Sequence, residues 1–120
     1  DAPEFAIRGQ HLMQAVSDLP QTTIAAINGY CFGGALDLAL ACDRRIASPN
    51  AQFAHPGAGL GIITGWGGTQ RLPRLVGTAN ALEMFFTASP IDARRSLEIG
   101  LVDLISEDPL HSAVNLDEQL

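Results

Sequence analysis

The residues with the clearest capacity for chemistry lie in Asn28–Asp43, NGYCFGGALDLALACD. Two adjacent glycines, Gly33 and Gly34, lead into a run that is apolar except for one carboxylate, Asp37. Taken as the turn into a helix starting near Ala35, the glycines leave backbone N–H groups unpaired and partly positive at the helix N-terminus. Glycine also lets a ligand come close to that backbone. A carbonyl oxygen placed there is polarised, and an oxyanion forming on it is stabilised more. One such donor is worth about 3–4 kcal/mol of barrier. Asp37 follows three residues on, at the same end of the helix, and an acid in apolar surroundings suits a proton shuttle. A structural role competes with this. An acid at the third helical position can reach back to an N-terminal amide as in a capping box. An Asp37 that takes the Gly34 amide removes it from any substrate.

Other chemistries lose ground. There is no GxxxxGK[ST] phosphate loop, and the glycines of residues 57–68 do not fall into GxGxxG register. There is no GxSxG elbow. His11, His55 and His111 lack ligand-like spacing to each other or to a carboxylate, and Cys31 and Cys42 are eleven apart with no CxxC, so no metal site is expected. Two free thiols suit a reducing, cytoplasmic compartment. The net charge of −6 disfavours nucleic acid, and Arg44-Arg45 and Arg94-Arg95 are isolated pairs. No apolar run approaches the roughly eighteen residues of a membrane span, and no signal peptide is expected.

These residues need elements to position them. The chain has 120 residues, 47% of them apolar and 17% charged, which is enough for one domain with a real core. Ala2–Leu19 reads as an amphipathic helix, with Phe5, Leu12, Val16 and Leu19 as its apolar stripe. No strand precedes it, so the sequence reads as a segment of a longer protein. Thr23–Asn28 suits a buried parallel strand, and Ala35–Cys42 is apolar nearly all round, like a buried helix. Arg44–Ala47 and Ala51–Ala54 read as short strands split by the turn SPN. His55–Gly68 carries six glycines in fourteen residues and reads as a loop whose backbone packs closely on something. Three helices follow: Thr69–Val76, interrupted at Pro73; Thr78–Thr87, capped by Thr78; and Asp92–Ile99, capped by Asp92 and Gly100. Leu101–Ile105 reads as a strand, and from Ser106 onward the acidic, weakly patterned remainder reads as a fraying tail. Strands alternating with helices indicate an α/β protein.

TIAAINGYCFGGALDLALACDRRIAS, AQFAHPGAGLG, GWGGTQRLPRLVG and IDARRSLEIGLVD, in this order, resemble consecutive blocks of the crotonase family, the enoyl-CoA hydratase/isomerase group. The resemblance runs from about Thr23 to Ile105. It implies a crotonase-like ββα superhelix, a spiral of which residues 1–105 are the central part, with 106–120 as an acidic tail. It implies an acyl-CoA thioester as substrate, with coenzyme A part of that substrate and no separate cofactor. It further implies a homotrimer or hexamer when full length, while the charge and the apolar runs already leave no nucleic-acid or membrane partner expected. The thioester oxygen of the family sits between two backbone amides. One maps onto Gly34, and the other belongs to an upstream loop. The first catalytic acid maps onto Asp37, one methylene shorter than the usual glutamate. Gly33, Gly34, Pro56, Gly57, Leu60 and Gly65 are the expected substrate-binding positions.

The departures bear on the reaction. Family hydratases hold and deprotonate a water with two carboxylates, and the second falls on Gly57. His55, two residues earlier, is either a compensating group or a structural histidine. Naphthoate synthases share the glycine and place an aspartate later in the loop, where this sequence has Thr64. Trp66 stands where many members have a small residue, so it either narrows the acyl pocket or packs. A single acid favours isomerisation, decarboxylation or thioester hydrolysis over hydration. The alternative is a non-catalytic subunit that binds acyl-CoA on the same scaffold.

Overall fold

A computed structural model describes residues 2–54, 68–87 and 89–116. The chain opens with helix α1, Ala2–Ser17. Strands β1 (Ile24–Ile27) and β2 (Tyr30–Phe32) follow, then helix α2 (Gly34–Ala41). Strands β3 (Arg44–Ala47) and β4 (Gln52–Ala54) begin a second, similar turn. Next come helices α3 (Gly68–Val76) and α4 (Thr78–Thr87), strand β5 (Ile91–Asp92) and helix α5 (Ala93–Glu98). Strand β6 (Leu104–Ile105) and helix α6 (Pro109–Val114) complete the described elements.

The first four strands alternate between two sheets. One sheet has the order β1-β3-β6 and the other β2-β4-β5, so spatial order equals chain order in both. The β1–β3, β3–β6 and β2–β4 pairings are parallel, and only β4–β5 is antiparallel. Each of the first two turns of chain lays one strand on each sheet before a helix follows, as expected of a ββα spiral, whereas in the third α5 comes between β5 and β6. Parallel strands covered on both faces need apolar side chains throughout, and Ile46 and Ala47 of β3 and Phe53 of β4 are fully buried. The core joins Ala47 and Phe53 to Leu36 and Leu40 of α2, Leu72 and Val76 of α3, Ala81 and Met84 of α4, and Leu101.

Several expectations are corrected. The face of α1 is not the Leu12–Leu19 stripe: those two side chains are 55% and 49% exposed, whereas Met13 is 2% exposed. Gly9, one turn before Met13, is buried, and a glycine gives no apolar signal from which to trace a seam. Phe5 lies outside the side chains described. α2 begins at Gly34 rather than Ala35. α3 runs unbroken through Pro73, whose ring removes one backbone donor while its carbonyl still accepts from the Gly77 amide at 2.9 Å. Thr78 is the first helical residue of α4, and the Gly77 carbonyl before it accepts the first bond, from Ala81. The strand expected over Leu101–Ile105 is confined to its last two residues.

The stretch after Ser106 contains α6 rather than only a fraying tail. Asp108 caps it by accepting from the His111 amide at 3.1 Å, and Pro109 and Ser112 are buried. Asp92 caps α5 as expected, accepting from the Arg95 amide at 2.8 Å. Gly100 follows the C-cap residue Ile99 in the left-handed region, φ 87°. The Leu101 amide bonds Ser96 O and the Gly100 amide bonds Leu97 O, the paired bonds of a Schellman turn.

Candidate active site

β2 is the element that aims the glycine pair, and its three residues were not distinguishable from a turn in the sequence. It runs parallel to β4 with Tyr30, Cys31 and Phe32 opposite Gln52, Phe53 and Ala54. The Gly33 amide extends this ladder by donating to the Ala54 carbonyl at 3.0 Å. Gly33 then turns the chain at φ 57°, ψ −118°, a conformation that a side chain strains. One residue later α2 begins. The chain thus passes through a single glycine from a paired strand to a helix that buries Leu36, Asp37, Ala39, Leu40 and Ala41 but exposes Ala35 and Leu38, so the helix is not buried all round as expected.

The N-terminal end of α2 is rich in donors. Its first backbone bond runs from the Asp37 amide to the Gly33 carbonyl at 3.0 Å. Among the described residues, no acceptor takes the amides of Gly34, Ala35 or Leu36. These are the groups that carry the positive end of the helix dipole. The Gly33 and Gly34 of the sequence reading are therefore together at one helix start, with the Gly34 amide as its first donor.

Asp37 is the fourth residue of α2 and only 4% exposed. A capping box uses the third helical residue and the amide of the N-cap. Here the N-cap is Gly33, whose amide is already given to Ala54, and no side chain caps it. The capping role weighed for Asp37 thus loses its geometry. Its charge is felt by the buried thiol of Cys31, whose pKa is pushed up to about 11 by burial first and by Asp37 second.

Pro56, Gly57, Leu60 and Gly65 lie outside the described residues, as do His55, Thr64 and Trp66. What precedes them is fixed: Ala54, the last residue of β4, is opposite Phe32 and bonded to Gly33. Among the described residues, no group of three or more His, Cys, Asp or Glu could hold a metal ion, and no helix is long and apolar enough to cross a membrane.

Two charged residues next to α2, Asp43 and Arg45, have structural roles that no sequence motif marks. Asp43 accepts from the Thr23 amide at 2.9 Å, and its own amide donates to Thr23 Oγ1 at 2.9 Å, so it ties the end of α2 to the start of β1. Arg45 is 5% exposed, and its guanidinium serves three carbonyls. The available signal was the position of both residues directly behind an apolar helix, whose last carbonyls need donors.

The sequence model of the enoyl-CoA hydratase/isomerase family matches residues 2–120. A probable enoyl-CoA hydratase of Bacillus subtilis is 47% identical over 108 residues, covering 90% of this chain and 42% of that protein. A crotonyl-CoA hydratase of Syntrophomonas wolfei is 46% identical over 105 residues, covering 88% of this chain and 40% of that protein. The chain superposes on the solved structure of Pseudomonas aeruginosa DspI with a TM-score of 0.94 at 42% identity, over 98% of this chain and 46% of that one. The chain therefore spans about two fifths of the length of the curated relatives it matches.

Proposed function

The chain belongs to the enoyl-CoA hydratase/isomerase family, and on that premise we propose that the whole protein acts on an acyl-CoA thioester through an enolate-like state. The observation that carries this reading is one helix start. The Gly34 amide opens α2 without an acceptor among the described residues, and the carboxyl group of Asp37 is buried one turn further on. Gly34 donates to the thioester oxygen as charge builds there, and Asp37 moves the proton. Coenzyme A arrives as part of the substrate, so no separate cofactor is required.

A second donor to the same oxygen comes from a segment beyond these 120 residues. A groove of about 460 Å³ beside β1 and the outer face of α2, reaching Ala35 and Leu38, has room for that segment. Pro56, Gly57, Leu60 and Gly65 line the acyl group in this reading. With Gly57 at the second acid's position, Asp37 is the one carboxylate left to do the chemistry. A single carboxylate completes a proton transfer from one acyl carbon to another without activating water, so isomerisation gains relative to hydration. The resemblance also supports a homotrimer or hexamer, and the two free thiols support a cytoplasmic setting.

Assay of the full-length protein on crotonyl-CoA and on a 3-enoyl-CoA tests the proposal. Turnover that falls about 100-fold or more in Asp37→Asn supports it, since one general acid or base contributes about 10²–10⁴-fold. Binding of the thioesters without turnover identifies the non-catalytic subunit instead.

A further inference from the structure

We infer that Arg45 is a positioning residue for the reaction, holding the C-terminal end of α2 so that Gly34 and Asp37 at its other end stay in register with the substrate. This rests on the functional reading above. α2 has eight residues, so its two ends are roughly 12 Å apart at 1.5 Å per residue. Its N-terminal end is fixed to β4 by the Gly33–Ala54 bond. Its C-terminal end is tied to β1 through Asp43 and Thr23, and its last carbonyls are held by the guanidinium of Arg45. Arg45 Nη1 donates to Cys42 O at 2.8 Å and to Ala39 O at 3.2 Å, and Nε donates to Leu101 O at 2.7 Å.

The acceptors give this contact its meaning. Ala39 lies in the last turn of α2 and Cys42 is its C-cap. Carbonyls there carry the negative end of the helix dipole, where a cation is favourable. Leu101 belongs to a distant segment, and its position is set by the Schellman turn at Gly100. Arg45 itself is held in place: its amide donates to Asp103 Oδ2 at 2.9 Å, and its carbonyl accepts from the Asp103 amide at 2.8 Å. One fixed side chain therefore joins the helix of the site to the segment after α5. A lysine brings the charge but cannot reproduce the planar fork that reaches carbonyls on two elements at once.

The test uses the full-length protein and two variants, Arg45→Lys and Arg45→Met, with crotonyl-CoA turnover and hydrogen–deuterium exchange read together. If Arg45→Met does not fold, Arg45→Lys decides alone. The expected result is a fall in kcat of about 10–100-fold, the range that a misplacement of about 1 Å produces, with KM within about twofold. Amides of residues 37–42 exchange faster while those of α4 keep wild-type protection. Wild-type kcat in Arg45→Lys, or faster exchange throughout the fold with kcat and KM both impaired, overturns the inference. If the wild-type protein turns over no acyl-CoA, the functional reading has failed. The exchange pattern then judges Arg45 separately: local loss across 37–42 upholds its hold on α2, and unchanged protection rejects it.

Discussion

The amide of Gly33 donates to the carbonyl of Ala54 at 3.0 Å, and that bond joins the glycine turn before α2 to the last residue of β4. It makes the end of one parallel ladder the start of the candidate site. It also fixes Gly33 at φ 57°. Among the described residues a Cβ added there meets nothing within 4 Å, so the expected cost of a side chain is backbone strain. Gly33→Ala is expected to destabilise the intact protein by about 1–3 kcal/mol, read from its denaturation midpoint. Activity should fall further than a loss of stability of that size produces elsewhere, because relief of the strain moves the Gly34 amide.

Gly57 stands where the family's second carboxylate is expected. Gly57→Glu should raise the rate of crotonyl-CoA hydration relative to isomerisation by about 100-fold or more, the range that one general base contributes. Parallel assays of both products check this. An unchanged ratio means that residue 57 does not reach the water that hydration uses.

Cys31 predicts a loss of stability at alkaline pH. Its thiol is buried beside the charge of Asp37, and its pKa rises from 9.0 to about 11 in the fold. The unfolded chain therefore releases the proton first. The contribution is fully present below pH 9.0 and is lost as pH rises toward about 11. At about 1.4 kcal/mol per pK unit it amounts to at most about 3 kcal/mol. Denaturation of the intact protein across this window should show a shallower decline in Cys31→Ala than in the parent.

Asp92 caps α5 through the Arg95 amide at 2.8 Å. Asp92→Ala should cost about 1 kcal/mol, read from the denaturation midpoint. α5 leads directly into the Gly100 turn that presents the Leu101 carbonyl to Arg45. Its fraying is therefore expected to loosen that contact as well.

The parts of this fold that could be read in the sequence are those with a dense local pattern. α2 is a run of apolar side chains, most of them buried although Leu38 is 43% exposed, and Asp37 stands out because its neighbours are apolar. β2 was not legible, because Tyr30–Phe32 is too short to show a period and only its pairing with β4 makes it a strand. α6 has no apolar stripe; it is six residues held by the Asp108 cap, with Pro109 and Ser112 inside. Pro73 reads as a breaker, yet α3 carries it with one donor missing. Arg45 was the least legible of all. An arginine pair reads as solvated surface, and nothing near residue 45 announces a carbonyl acceptor at Leu101, fifty-six residues on.

The central claim is that Gly34 polarises a thioester carbonyl while Asp37 moves a proton at the adjacent carbon. Its most direct test is solvent exchange on butyryl-CoA, a thioester with no double bond to hydrate. The full-length protein is incubated with it in D₂O, and NMR follows the carbon next to the carbonyl. The account predicts that the wild-type protein incorporates deuterium there, and that Asp37→Asn slows incorporation by about 100-fold or more. Incorporation by Asp37→Asn at the wild-type rate contradicts it.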